Sequence, residues 1–363
     1  MNLNLAALAR RQKVGFHPLL GVPVDESYLK MEQARRAKLA HRHASGIDEI
    51  LETVRQTVDN ERKEMVGKET QIWASGETPL RILLVSTWRS GSTFLGQVLL
   101  QHPGVFQHYE PFSYLGVKQI RSGAEAFQSQ QLLHRLLDCR YEGQDQYLNY
   151  SSFNPFDMIG HNKRIWDACN IGNNINMCSN STFLTQACNM FPIQLVKTVR
   201  LRLNLTQLFL GETRLNAKVI FLVRDPRATM SSRRSSVKWC ESSHDCSSPE
   251  VLCSDLKADL KVSAALERLY PSSFIMIRYE DLANDPLNVI DRLLQFLGME
   301  FSEELSEFVS AHTKSEDEKP WSIARKSIAR VNRWKEQMSD NDVHDIQRTC
   351  RSVIETLGYD IVN

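Results

Sequence analysis

The sequence predicts an α/β protein with a P-loop-like central parallel sheet flanked by helices. Three observations carry this reading. From Arg81 onward, short apolar, β-branched stretches alternate with segments of helical periodicity, the pattern of parallel strands joined by crossover helices. The run Ile82-Leu83-Leu84-Val85-Ser86-Thr87-Trp88-Arg89-Ser90-Gly91-Ser92-Thr93-Phe94-Leu95 passes from a buried strand through a small-residue loop into a helix. A second run ends an apolar strand on Arg224 and opens a helix with Asp225-Pro226, an N-cap followed by proline at the first helical position.

Taken in order, the strand candidates are Ile82–Ser86, a short Val105–Tyr109, Gln194–Val199, Lys218–Val223 and Phe274–Arg278. Helical periodicity marks Thr93–Leu100, Ala124–Leu137, Pro226–Arg233, Leu256–Leu269, Asn288–Leu297, Glu303–Ser310 and Val343–Leu357. Residues 139–192, rich in Asn, Cys, Phe and Pro, read as an irregular insertion. Residues 1–79 read as a charged, largely helical stem-like segment, and 80–363 as the domain that carries the chemistry. Within the first segment Ile47, Ile50, Leu51, Val54 and Val58 recur at helical spacing. That face suits a stem or dimerising helix, or a charged helix packed on the domain surface. His41 and His43 read as solvated surface residues.

Composition excludes more than it selects. Among 363 residues, 44 Lys and Arg stand against 43 Asp and Glu, a net charge of +1. Such a balance gives no global pull toward nucleic acid or membranes, so any anion specificity is local. No window approaches the roughly 18 apolar residues of a membrane span. The first eleven residues are charged too early to read as a signal peptide. The eight cysteines lie at 139, 169, 178, 188, 240, 246, 253 and 350. None forms a C-x₂-C pair, and His244 is the one histidine close to them, so a metal site is not expected. Disulfides formed in an oxidising lumen are the better reading, with 240, 246 and 253 sharing one polar loop. Sequons at Asn149, Asn180 and Asn204 are about as many as chance supplies in so Asn-, Ser- and Thr-rich a chain.

The first loop is an anion cradle. Backbone N–H groups and a helix N-terminus converge on one point, and only small residues let the backbone approach. It is not a triphosphate loop. That motif needs a lysine after its second glycine, whereas Gly96 here is followed by Gln97 and the sole cation is Arg89. An anion of lower charge than a magnesium triphosphate fits better. At the second strand end, Ser232 follows Arg224 by eight residues, about two helical turns. A guanidinium and a hydroxyl so placed suit a second anionic group. Taken alone, Arg224 would more readily pair with a neighbouring acid.

Together these motifs resemble the Golgi carbohydrate sulfotransferases, the group that 6-O-sulfates galactose, N-acetylgalactosamine or N-acetylglucosamine. The likeness runs from about Pro79 to the C-terminus. It includes Tyr109-Glu110-Pro111, Leu195-Val196-Lys197-Thr198-Val199-Arg200, Arg278-Tyr279-Glu280-Asp281-Leu282, Arg333-Trp334-Lys335 and Leu357-Gly358-Tyr359. The resemblance implies a sulfotransferase fold and PAPS (3′-phosphoadenosine 5′-phosphosulfate) as co-substrate, without metal. It implies that Arg89, Ser90, Gly91, Ser92, Thr93 and Phe94 grip the 5′-phosphosulfate, and Arg224 with Ser232 the 3′-phosphate. Arg89 would also stabilise the leaving group. It names Glu110 as general base, with His108 a rival because imidazole suits proton abstraction near neutral pH. The acceptor would be a glycan on a glycoprotein, proteoglycan or glycolipid in the Golgi lumen. A homodimer is compatible, and nucleic acid is not expected as a partner. The N-terminal membrane anchor of that family has no counterpart in these residues.

Other polar residues are less specific. Lys197 and Arg200 either face a ligand or are end-of-strand charges. Arg227 and Arg233 read as surface charges, and Glu280 and Asp281 as caps. Trp334, near Lys326 and Arg333, either closes over the nucleotide or sits in the core. Acceptor specificity is expected from 139–192 and 235–255, because loops carry recognition on a fixed scaffold.

Overall fold

A computed structural model describes residues 15–16, 23–24, 46–61, 63, 78–156, 158–170, 175–314 and 327–362. His41, His43 and Lys326 lie outside the described residues. The chain divides into two units, Met1–Thr53 and Val54–Asn363. In the first, Gly15–Phe16 pairs antiparallel with Pro23–Val24. Residues 46–61 are helical, and Ile47, Leu51, Val54 and Val58 are buried, the face their spacing marks.

The second unit is built on five parallel strands: β1 (Leu80–Ser86), β2 (Val105–Tyr109), β3 (Ile193–Thr198), β4 (Ala217–Val223) and β5 (Phe274–Arg278), in the order β2-β3-β1-β4-β5. The register sets Leu84 beside both Lys197 and Ile220, and Tyr109 beside Lys197. Ile82, Leu83, Leu84, Val196, Val219, Ile220 and Phe221 are all fully buried. A strand with apolar residues on both sides needs cover on both sides, which is why these segments read as continuous apolar runs. On one face Leu95, Val98 and Leu99 of helix α1 (Ser92–Leu100) pack with Ile290, Leu293 and Leu294 around Ile82 and Leu84. Each such side chain contributes about 1.5–3 kcal/mol through burial.

Helix ends follow their caps. Helix α3 (Pro226–Ser236) starts at Asp225, whose carboxylate accepts the Arg227 N–H at 2.8 Å, with Pro226 at the first position. Helix α2 is Gly123–Leu137. Helix α4 (Pro249–Leu269) begins seven residues before the expected Leu256, because Ser248 accepts the Val251 N–H at its head. Cys253 therefore lies in a helix, not in the expected loop. It is bonded to Cys350 of α7 (Asp340–Thr356), tying the two helices together. Between α4 and α7 come α5 (Tyr279–Asn284) and α6 (Pro286–Leu297).

Residues 139–192 are not irregular. Short helices form at Asp145–Phe153, Lys163–Cys169 and Ser181–Cys188; Cys139–Cys188 closes the segment at its ends and Cys169–Cys178 ties the second helix to the turn after it. Their apolar residues are too few per segment to show a period in the sequence; the covalent links hold them. A fourth bond, Cys240–Cys246, completes the disulfide reading. Arg227 and Arg233 are not surface charges but buried, at 2% and 1% exposure. Arg227 pairs with Asp225 at 2.7 Å and also bonds Gln347 and the Asp360 carbonyl. Arg233 donates to the carbonyls of Trp88 and Cys246, and burial, the main cause, lowers its pKa to about 9.

Candidate active site

The site lies at the carboxyl edge of the sheet, where open α/β sheets bind ligands. Ser86, the last residue of β1, donates its hydroxyl to the Leu222 carbonyl at 2.7 Å, fixing the exit of the strand. The loop then turns on two left-handed residues, Arg89 at φ 71° and Gly91 at φ 90°. Gly91 is required on two counts. Its backbone lies in the left-handed region, and a Cβ there would sit 2.6 Å from the Tyr279 ring. Gly91 also heads α1, which no side chain caps, so its first N–H groups remain available to an anion. Thr87 and Ser90 share a hydroxyl–hydroxyl bond of 3.0 Å beneath the turn.

Arg224 leaves β4 and arches back over this loop. It donates to the Arg89 carbonyl at 2.9 Å and the Arg330 carbonyl at 3.1 Å, with its guanidinium 4.3 Å from the centre of the Tyr279 ring. Its Nε is buried and meets no hydrogen-bond partner among the described residues. Ser232 accepts from Arg89 Nε at 3.1 Å. The two anion-binding segments read separately from the sequence are therefore contiguous.

Glu110 follows β2 with φ 44°, which turns it away from the strand direction. Its carboxylate is buried between Lys197 Nζ and Arg200, each at 2.6 Å. Burial would raise this carboxyl's pKa, but Lys197 and Arg200, with bonds from Lys197 and the Val199 N–H, outweigh it and lower it. Lys197 is likewise buried; burial opposes its charge, yet Glu110 keeps its pKa above the usual lysine value. So neither Lys197 nor Arg200 is an idle end-of-strand charge.

His108 does not enter the cavity. It is buried on the other side of β2, bonded to the Tyr141 hydroxyl at 3.0 Å and Gln194 at 3.3 Å, and burial drives its pKa down to about 4. It is a packing histidine. Glu280 does more than cap: beside its own first-turn N–H it accepts the Asp225 N–H at 3.1 Å and the Tyr359 hydroxyl, binding the C-terminal segment to the second strand end. Trp334 takes its core reading, buried with Ala228 and Val343 and 4.4 Å from the Arg227 guanidinium, at the cavity wall.

One cavity of about 690 Å³ is lined by Arg89, Gly91, Ser92, Thr93, Phe94, Glu110, Arg224 and Ser232. Ser90 is buried beneath the same turn. Further lining residues were not singled out from the sequence, among them Tyr109, Tyr150, His161, Tyr279 and Arg330. Tyr109 and Tyr279 stand inside motifs already quoted. Tyr150 and His161 come from the 139–192 segment and carry no local signal. Among the described residues no group of His, Cys, Asp or Glu is arranged to hold a metal ion.

A strand–loop–helix turn joined to an arginine at the end of the neighbouring strand is an arrangement suited to a ligand with two anionic groups. A family model described as "Sulfotransferase family" matches residues 79–303. The chain belongs to the sulfotransferase family. Among its relatives, carbohydrate sulfotransferase 1 of Mus musculus is 25% identical over 334 residues, covering 78% of this chain and 80% of that protein. Carbohydrate sulfotransferase 5 of Mus musculus is 26% identical over 323 residues, covering 77% and 80%. Among solved structures, the sulfotransferase domain of the Synechococcus PCC 7002 olefin synthase aligns with a TM-score of 0.44 at 17% identity, covering 81% of this chain and all of that one.

Proposed function

We propose that this enzyme transfers the sulfonate of PAPS to the 6-hydroxyl of a galactose, N-acetylgalactosamine or N-acetylglucosamine residue in a glycan, with Glu110 as general base. The observation that carries the reading is that a single cavity holds the Arg89 loop, the Arg224–Ser232 pair and Glu110 together. The carbohydrate sulfotransferases among its relatives support a sugar acceptor. The four disulfides fit a lumenal, Golgi setting.

The donor set suits the nucleotide. The uncapped N-terminus of α1 and the unpartnered Arg224 Nε are what a phosphate-bearing molecule satisfies. PAPS supplies an already activated sulfonate. Ser90 to Phe94 cradle the 5′-phosphosulfate, Arg224 and Ser232 hold the 3′-phosphate, and Arg89 lies between them. The acceptor oxygen bonds to sulfur as the bridging S–O bond breaks, and the electron pair leaves with the nucleotide phosphate. Arg89 stabilises the charge that builds there. Glu110 takes the acceptor's proton. Held ionised by Lys197 and Arg200, it is a weak base, so the proton moves late, once the sulfur–oxygen bond has made the hydroxyl acidic. A sulfonate carries less charge than a γ-phosphoryl group, so one arginine with backbone donors can serve.

The test is incubation with sulfur-labelled PAPS and a panel of glycans bearing each of the three sugars. Label on one sugar's 6-hydroxyl, lost in Arg89→Ala, is the expected result. Tight nucleotide binding with no transfer to any glycan, or transfer only to a non-glycan acceptor, overturns it.

A further inference from the structure

The strand order divides the floor of the cavity. The anion loop follows β1, the middle strand, while Arg224, Ser232 and Tyr279 follow β4 and β5 on one side. On the other side the ends of β2 and β3 deliver Tyr109, Glu110 and Lys197. A nucleotide that spans the loop and Arg224 leaves this second flank to the molecule that receives the sulfonate.

The 139–192 segment reaches into that flank. The turn Ile159–His161 lays the His161 ring on Tyr109, centroids 3.6 Å apart and planes 14° from parallel. Lys197 Nζ lies 4.6 Å from the centre of the same tyrosine ring. The His161 carbonyl accepts from Gln97 Nε2 at 3.4 Å. Gln97 follows Gly96, where a triphosphate loop carries its lysine, so this position anchors the far wall instead of a phosphate. Among the described residues, no group hydrogen-bonds to either ring nitrogen of His161. Burial, with the nearby Lys197 charge, lowers its pKa to about 4, so the imidazole is neutral in working conditions.

This flank is aromatic, and its charged groups Glu110, Lys197 and Arg200 are bonded to one another. Tyr109, Tyr150 and His161 line it, and its one carboxylate is already paired with two cations. A sugar offers apolar C–H patches and hydroxyls that both donate and accept. A neutral imidazole likewise carries one donor and one acceptor nitrogen.

We propose that His161 is an acceptor-binding residue, its ring nitrogen hydrogen-bonding a hydroxyl of the acceptor sugar other than the one that takes the sulfonate. His161 thereby selects among acceptor sugars by the direction of that second hydroxyl. The inference rests on the proposed sugar-sulfating reaction.

The test compares three variants. His161→Phe keeps a ring against Tyr109 and removes the nitrogens, His161→Ala removes both, and His161→Gln restores a polar group. In His161→Phe the KM for the acceptor rises about tenfold, the loss of one hydrogen bond, and the preference between sugars narrows. The KM for PAPS, the affinity for its desulfated product PAP (3′-phosphoadenosine 5′-phosphate) measured by calorimetry, and the thermal midpoint stay within about twofold or a few degrees of wild type. His161→Gln recovers most of the acceptor affinity. An unchanged acceptor KM in His161→Phe, or a PAPS KM that rises in step with it, overturns the assignment. A wild-type enzyme that sulfates no glycan overturns the reaction on which it rests, which is a distinct outcome.

Discussion

Gly91→Ala tests how the anion loop is held. The added Cβ meets Tyr279 Cδ2 at 2.6 Å and Cε2 at 2.8 Å, and the backbone there has φ +90°. An alanine in the left-handed region costs about 1–2 kcal/mol. Carbon atoms pack at about 3.5–4.0 Å, so the ring must retreat by roughly 1 Å, and overpacking of that kind costs about 1–3 kcal/mol. Together these predict a loss of about 2–5 kcal/mol, or a drop in Tm of roughly 4–10 °C at about 2 °C per kcal/mol for a domain of this size. The same retreat moves Tyr279 from beneath Arg224, whose guanidinium it faces at 4.3 Å. A cation–π contact of about 0.5–2 kcal/mol then predicts PAP affinity falling by roughly 2- to 30-fold. Differential scanning fluorimetry and calorimetric titration read the two effects. The double variant with Tyr279→Ala should lose less than the sum of the singles, since the clash is gone. A Gly91→Ala protein within 1 °C of wild type, or strictly additive losses, would refute the reasoning.

Arg89→Ala should lose at least about 100-fold in kcat, the scale of a lost transition-state donor, with little change in Tm; turnover within tenfold of wild type refutes the leaving-group role. Glu110→Gln should lower kcat by about 10²–10⁴, checked against a circular dichroism spectrum that shows the fold intact. Because its folded pKa lies below the ordinary carboxylate value, Glu110 adds stability above that value, and the contribution disappears as pH falls through the folded pKa. Between pH 7 and pH 3, wild type should therefore lose more Tm than Glu110→Gln does, and equal losses would remove the argument. Replacing both Cys253 and Cys350 with alanine opens a link of sequence separation 97 and should cost about 2–5 kcal/mol in denaturant unfolding.

The five strands were legible because a parallel sheet covered on both faces writes itself as apolar runs, and helix α3 because Asp225-Pro226 is a local start signal. Arg89, Arg224 and Ser232 were legible for the same reason: each is tied to a strand end by chain position alone. Glu110 was reached through its neighbours Tyr109 and Pro111. Arg227 and Arg233 misread as surface charges, since an arginine's burial depends on partners such as Gln347 and the Trp88 carbonyl, which lie in distant stretches of chain. His108 and Glu110 stand two residues apart, a spacing that by the alternation of a continuing strand would put both on one side. The left-handed backbone at Glu110 ends that alternation and sends the carboxylate alone into the cavity.

Residue order thus prescribes the strands and the strand–loop–helix turn, which depend on contacts within a few residues or on a period along one element, while the chemical class is read from the resemblance of several motifs to a known family. The pairing of Glu110 with Lys197 and Arg200, the wedge of Tyr279 behind Gly91 and the stacking of His161 on Tyr109 depend on which strands become neighbours. Those contacts join residues far apart in the chain, and no local pattern encodes them.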